Sequence, residues 1–339
     1  MKIESTQGDR RKSLCFFTRL LDDVPPLQRY GLATAQIVAA ERLGFDIAWV
    51  AQHHFHPDEG GLPAPLVFLA QVAARTERIR LGTGVITLPM EHPVRVAEDT
   101  AVLDLLSGGR LEVGFGSGGT PSSFAAFGQD SERRNDIFTR YLRVVLDAWA
   151  GRGLGPGENV LYPTTPDLAR RVWQATFSEG GGVRAGKAGD GLMLSRTQPR
   201  PPGQQAARLW DIQQPIVDAY HKALSAGIAP RVLASRSVFV TDRRPDAWAI
   251  AELGLSRAMA FQRSIGNAVP EGSLESIVAA YDMHIGTPDD VIRSLGADPV
   301  VAVATHVAVQ AHSADPPHEM LLRSLELIRR EVAPALGWV

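Results

Sequence analysis

Two hydrophobic periods take turns along this chain. Leu14 to Leu20 is a short apolar run that reads as a strand, and Leu32, Ala35, Ala39 and Leu43 then fall at offsets of 3, 7 and 11, one face of a helix. Gly44 stands where a helix C-cap is expected. Asp46 to His54 lacks polar alternation, as a strand covered on both faces of a parallel sheet does. Leu66 to Thr76 reads as helix and Arg80 to Leu88 as a third strand ended by Pro89. Val94, Ala97, Ala101 and Leu105 mark a helical stripe, Arg110 to Gly116 a fourth strand, and Ile137, Tyr141, Val144 and Ala148 a fourth helix.

The Gly- and Pro-rich stretch Gly151 to Asp167 reads as a connecting loop, because the same alternation resumes after it. Arg171 to Ser178, Gly191 to Arg196, Ser235 to Thr241 and Thr305 to Ala311 are four more strand candidates. Thr287-Pro288-Asp289-Asp290 is a helix start, with a capping hydroxyl, Pro at the first helical position and acids at the positive dipole end. Eight strands each followed by a helix predict a (β/α)8 TIM barrel, one domain over residues 1–339, with extra loops at the C-terminal mouth. The surplus falls in Gly151 to Asp167, Thr197 to Pro215 and Arg263 to Gly286. A doubly wound sheet is the competing architecture.

With 45% hydrophobic and 21% charged residues over 339 positions, the composition is that of a soluble globular protein. A net charge of -2 offers no basic footprint for nucleic acid and no polybasic membrane anchor, so a small-molecule partner is expected. The lone Cys15 excludes an internal disulfide and points to a reducing compartment, the cytoplasm. Asp9-Arg10-Arg11-Lys12 faintly resembles a twin-arginine export signal, but no long apolar segment follows it.

In a barrel, chemistry gathers where each apolar run stops. Those positions are His53 and His54, Gly84 and Val85, Gly116 and Ser117, Ser178 with Gly180 to Gly182, and Arg196. His53-His54-x-His56 matches no familiar zinc spacing, so no metal is expected; a strand-end histidine can instead serve as a base or hydrogen-bond donor. Gly114 to Gly119 fits the nominal dinucleotide fingerprint G-x-G-x-x-G, yet three β-α units precede it and Pro121 interrupts the helix that should follow. Ser178-Glu179-Gly180-Gly181-Gly182 is either an anion site between strand and helix or an ordinary turn.

Several ordered motifs together resemble the bacterial luciferase-like, flavin-dependent monooxygenases. They are Gly44-Phe45-Asp46 leading to His53-His54-Phe55, Leu81-Gly82-Thr83 with Leu88-Pro89, His92-Pro93-Val94-Arg95 with Glu98-Asp99, and Ser107-Gly108-Gly109-Arg110. Phe127-Gly128, Asp190-Gly191 and Gly286-Thr287-Pro288 follow in the same order. The resemblance implies a barrel that takes reduced FMN from a separate flavin reductase and uses O2 to oxygenate a small organic substrate through a flavin 4a-hydroperoxide. It also implies His53 as the active-site histidine, Gly84-Val85 as a cis peptide beneath the ring, Ser178 with Gly181 as the phosphate loop, and Gly116 and Ser117 at the strand end beside it. Ser117 and Ala125 stand where the luciferases place phosphate arginines, and Phe177 where they place a glutamate; either Arg196 or Arg184 replaces them, or the flavin is held loosely, or the cofactor differs. A deazaflavin-dependent hydride-transfer enzyme of the same fold, or a non-catalytic flavin-binding subunit, are the alternatives. Arg263 to Gly286 occupies the place of the family's mobile lid, and a homodimer through the second and third helices is expected by analogy.

Overall fold

The computed structural model describes residues 11–201, 203, 206–264, 266 and 268–339. Asp9 and Arg10 of the basic start and Asn267 of the proposed lid lie outside the described residues. Parallel strands alternate with helices in the order β1 (Ser13–Thr18), α1 (Pro26–Leu43), β2 (Ile47–Val50), α2 (Pro65–Ala73), β3 (Arg80–Thr87), α3 (Pro93–Leu106) and β4 (Leu111–Gly116). Then come α4 (Pro121–Ala126), α5 (Arg134–Trp149), β5 (Val172–Ala175), α6 (Glu179–Ala188), β6 (Gly191–Leu194), α7 (Leu209–Ala223), β7 (Val232–Val240) and α8 (Arg244–Ser264). The chain ends with α9 (Leu274–Ala280), β8 (Met283–Gly286), α10 (Pro288–Gly296), α11 (Pro299–Val303), β9 (His306–Gln310) and α12 (His318–Leu327).

Strands β1 to β7 pair in sequence order, β7 pairs β9, and β9 returns to β1, which closes the TIM barrel and removes the doubly wound alternative. Strand β8 runs beside the C-terminal part of β7, Ser237–Val240 against Met283–Gly286. The stretch Arg263 to Gly286, read as loop from sequence, therefore carries a helix and a strand. Pro121 likewise does not interrupt a helix but opens α4 at its first turn, where a missing amide proton costs nothing. The strands are shorter than expected at their C-terminal ends, so His53, Ser178 and Arg196 sit in the turns beyond β2, β5 and β6.

Strand faces explain the closure. In β1, Leu14 and Phe16 join the layer under the helices while Cys15 and Phe17 point into the barrel; Ala48 and Val50 against Ile47 and Trp49 repeat this in β2. The barrel interior is filled by Trp49 and Trp173, edge to face at 5.6 Å, with Met193, Leu233 and Ala308. Facing glycines make room: a Cβ on Gly82 or Gly191 would lie 2.2 Å from a ring atom of Trp49 or Trp173. The predicted caps are in place, with Gly44 left-handed at φ 82° and Thr287 and Asp290 closing a reciprocal capping box behind Pro288. Val67 on α2 and Val102, Leu105 and Leu106 on α3 remain exposed. No helix among the described residues is long and apolar enough to cross a membrane.

Candidate active site

His53 is fixed from both sides of its turn. Its amide donates to Leu62 O at 3.0 Å, and the preceding Gln52 accepts from Thr87 N at 2.7 Å while donating to Glu91 Oε1 at 2.7 Å and Pro63 O at 3.1 Å. Arg19, one residue past β1, places Nη2 3.2 Å from His53 Nε2 and also donates to Glu59 O. A guanidinium can only donate, so Nε2 carries the lone pair and the ring proton sits on Nδ1. Burial, then Arg19, lowers the His53 pKa well below the ordinary histidine value, so the ring is neutral at pH 7. Nδ1 has no partner among the described residues, and a Cβ on Gly60 would come within 2.5 Å of it.

Three residues that sequence reading does not single out complete the cluster. His312 and Asp315 follow β9, and His312 Nδ1 lies 2.8 Å from both carboxylate oxygens of Asp315. Burial and then Arg196 bring His312 down to about 4, so the neutral ring donates from Nδ1 and keeps its Nε2 lone pair, the arrangement of an oriented base. Arg19 is the third. The strand-end rule, applied to the first and last strands as well, would have found all three. Leu20 (φ 55°), Phe55 (φ 66°) and Asp315 (φ 48°) hold left-handed conformations around this mouth, each costing on the order of 1–3 kcal/mol and concentrated where residues are being aimed.

Arg196 is 5% exposed; Nη1 donates to Ser237 Oγ on β7 at 3.3 Å and Nη2 has no partner among the described residues. Burial, then Arg19, lowers its guanidinium to about 9, still charged at neutral pH. On the other side of the mouth, the Gly84-Val85 peptide is cis, and the β3–β4 register shifts between Thr83 and Ile86. A Cβ on Gly84 would approach Phe17 Cε2 to 2.6 Å, and one on Gly116 would approach Val85 Cγ2 to 2.6 Å, so the two glycines let β1, β3 and β4 close beneath one shallow floor. Ser117 is half-buried at the end of β4.

Ser178 caps α6, its Oγ accepting from Gly181 N at 3.2 Å. The glycines that follow also have a packing duty: a Cβ on Gly181 would lie 1.9 Å from Thr176 Oγ1, one on Gly182 2.6 Å from Ile216 O, and one on Gly186 2.5 Å from Tyr220 O, so α6 seats directly on α7. Arg184 donates from Nε to Gln174 Oε1 at 2.8 Å and lies 4.9 Å over Phe138. It is committed between α5 and α6. His54 packs edge-on to Phe127 at 4.9 Å, and among the described residues no group of three or more His, Cys, Asp or Glu could hold a metal ion. Ser178 and the N-terminal amides of α6 stand at the turn after β5, and Arg184 on the same helix is turned toward Gln174 and Phe138.

The sequence profile of the luciferase-like monooxygenases matches residues 13–306. The chain belongs to this family. It spans about a quarter to a half of the length of the curated relatives it matches, 34% and 48% for two Sinorhizobium fredii proteins. Limonene 1,2-monooxygenase of Rhodococcus erythropolis is 32% identical over 187 residues, 52% of this chain and 47% of the relative. A monooxygenase from Streptomyces bottropensis superposes with a TM-score of 0.78 at 25% identity, covering 95% of this chain and 99% of that one. The fold alone is shared with the oxygenating constituent of 3,6-diketocamphane monooxygenase from Pseudomonas putida in complex with FMN (TM-score 0.74, 19% identity, 96% and 98% covered). It is also shared with a coenzyme F420-dependent reductase from Methanopyrus kandleri (TM-score 0.67, 17% identity, 96% and 99% covered).

Proposed function

We propose that this luciferase-like protein is a monooxygenase that binds reduced FMN, delivered by a separate reductase, and uses O2 to oxygenate a small organic substrate. The observation that carries the reading is the neutral His53 held by Arg19 beyond β2, beside the Gly84-Val85 floor on the neighbouring strand β3. Reduced FMN, when bound, supplies the two electrons that let one oxygen atom enter product and the other leave as water. Phe17, Val85, Ala175 and Met193 give its site an apolar wall, which keeps water from the reacting centre. His53 offers a proton at Nδ1, while its Nε2 lone pair accepts from Arg19. His312, steadied by Asp315, offers a second lone pair across the mouth. The bare phosphate side suits a cofactor that is held loosely and exchanged each turnover.

Anaerobic titration of the full chain with reduced FMN, oxidised FMN and reduced F420 tests this reading. Tighter binding of reduced FMN than of either other ligand is expected; a preference for F420 favours the hydride-transfer alternative. His53→Ala tests the non-catalytic alternative: unchanged O2 consumption with reduced FMN would remove His53 from the chemistry.

A further inference from the structure

A cavity of about 480 Å³ opens on the β1 and β9 side of the mouth, beneath the last turns of α8, a volume that suits a small organic molecule. Arg19 lines it and also reaches His53 Nε2 at 3.2 Å, so the cavity adjoins the histidine of the proposed chemistry. Its charged wall is balanced, with Arg19, Arg29 and Arg257 set against Asp23, Asp58 and Asp315. Most of these groups are already engaged within the chain. Arg29 donates to the carbonyls of Asp22 and Pro57, Arg257 pairs with Asp23 at 3.6 Å, and Arg19 is shared between His53 and Glu59 O. An ionic occupant would meet as much repulsion as attraction there and would still have to shed its water. A neutral one sheds far less.

Leu21, Pro57, Ala258, Ala260 and Phe261 give the same cavity an apolar lining, and His312 gives it a polar handle. His312 Nδ1 lies 2.8 Å from both carboxylate oxygens of Asp315, which fixes the ring proton on that side and leaves a lone pair on Nε2. No described residue donates to that lone pair, and, unlike the sealed Nδ1 of His53, it stays accessible on a ring that is 15% exposed. Burial and then Arg196 bring the ring down to about 4, so at pH 7 it is a neutral acceptor. What such an acceptor selects is a hydrogen-bond donor that carries no charge. At neutral pH an aliphatic amine is protonated and a carboxylic acid ionised, whereas a hydroxyl keeps its proton and stays neutral.

We infer that the substrate of the proposed oxygenation is a neutral alcohol or phenol that enters the β1–β9 cavity with its hydroxyl donating to His312 Nε2 and its body against Leu21, Pro57 and Phe261. The inference rests on the monooxygenase reading. His312 is then a binding residue that orients the substrate beside His53, and Asp315 is a positioning residue that acts through it by holding the tautomer. An ether of the same shape fills the space but leaves the lone pair unpaired.

The test uses the full chain without cofactor and calorimetry with matched pairs: 4-propylphenol and 4-propylanisole, 2-naphthol and 2-methoxynaphthalene, menthol and its methyl ether. At least one hydroxyl compound is expected to bind about three- to ten-fold tighter than its ether, the worth of one hydrogen bond between neutral groups. His312→Phe should remove that preference and keep ether affinity within about two-fold, a split that a general loss of packing would not produce. Ala258→Trp, which fills the cavity from α8, should weaken both members of the pair. Equal binding of every hydroxyl compound and its ether overturns the inference. So does a preference that survives His312→Phe, or binding that Ala258→Trp leaves untouched. Where His312→Phe is unfolded by circular dichroism, Asp315→Asn decides: asparagine accepts the left-handed backbone at φ 48°, but its amide no longer fixes the ring proton, so the preference must fall. A hydroxyl preference without any binding of reduced FMN would refute the flavin reading and leave this site standing, and FMN binding without the preference would refute this site alone.

Discussion

Gly116→Ala asks whether Val85 forms the floor under a bound ring. Gly116 ends β4 with its backbone in an ordinary conformation, so the added methyl acts through space alone. It would lie 2.6 Å from Val85 Cγ2 and 3.5 Å from Val85 Cβ. Carbon pairs settle at about 3.5–4.0 Å, so the valine methyl must retreat by roughly 1 Å. Val85 is β-branched and cannot swing freely about χ1, which makes a tilt of the residue toward the mouth the available response. Overpacking of this kind costs about 1–3 kcal/mol, expected as a loss of urea stability followed by tryptophan fluorescence. The tilt also raises the floor, so reduced-FMN affinity should fall about ten-fold or more, about 1.4 kcal/mol. Gly119→Ala is the control, because nothing lies within 4 Å of its Cβ and both readouts should stay put. Lost stability with wild-type FMN affinity in Gly116→Ala would show that the ring does not rest on Val85.

Four further outcomes are expected. Oxygen consumption in His53→Gln should drop by about 10²–10⁴ if the ring handles the proton, and the wild-type rate should stay flat from about pH 8 to about pH 6.5 because the neutral form persists below the usual histidine pKa; a step centred near 6.5 would contradict the burial argument. His284, His306 and His312 are lowered, mainly by burial, to about 3, about 4 and about 4, so each unfolded ring binds its proton first as pH falls below about 6.5. Their contribution to stability is present above that pH and lost between about 6.5 and 4 at up to about 1.4 kcal/mol per pH unit each, with Asp190, raised to about 6 by burial, opposing with one proton; a urea midpoint independent of pH in that window would refute it. Glu41 Oε1 accepts from the amides of Glu77, Arg78 and Ile79 at 2.9, 2.7 and 3.0 Å, so Glu41→Ala should cost about 2–4 kcal/mol in urea with FMN affinity unchanged. If the chain dimerises through α2 and α3, the wild type should sediment as a dimer and Leu106→Glu, at a side chain 65% exposed on α3, as a monomer; a monomeric wild type or an unchanged mass would refute that pairing.

The barrel was legible because its signal is local and repeated. Strand β2 is apolar on both faces, helices follow strands at a regular interval, and Gly44 closes the first helix in a left-handed conformation that few other residues accept, while Thr287 opens a later one with its capping hydroxyl. Boundaries failed where tertiary context decides them. The apolar run continues past β2 into Ala51, yet the chain turns there because Gln52 is drawn to the amide of Thr87 and the carboxylate of Glu91, partners that are distant in sequence. Strand β8 was hidden for a similar reason: four residues are too few to show a period, and they become a strand only because the upper end of β7 outlasts its pairing with β9.

For the site, the difference lies between residues that announce themselves and residues that are assembled. His53 and the glycines of the floor stand in motifs, so their spacing could be read. Arg19 and His312 are separated by nearly the whole chain and meet only because β9 returns to β1, the pairing that closes the barrel. The consequence is chemical. Before closure Arg19 is one of many exposed arginines; after it, the same side chain fixes the tautomer of His53, feels the Arg196 guanidinium, and is opposed by the Asp315 carboxylate that also accepts from His312. A strand-end rule predicts which residues reach the mouth, but the sign of the field there depends on which partners are already taken, and that is decided by the pairing of the first strand with the last.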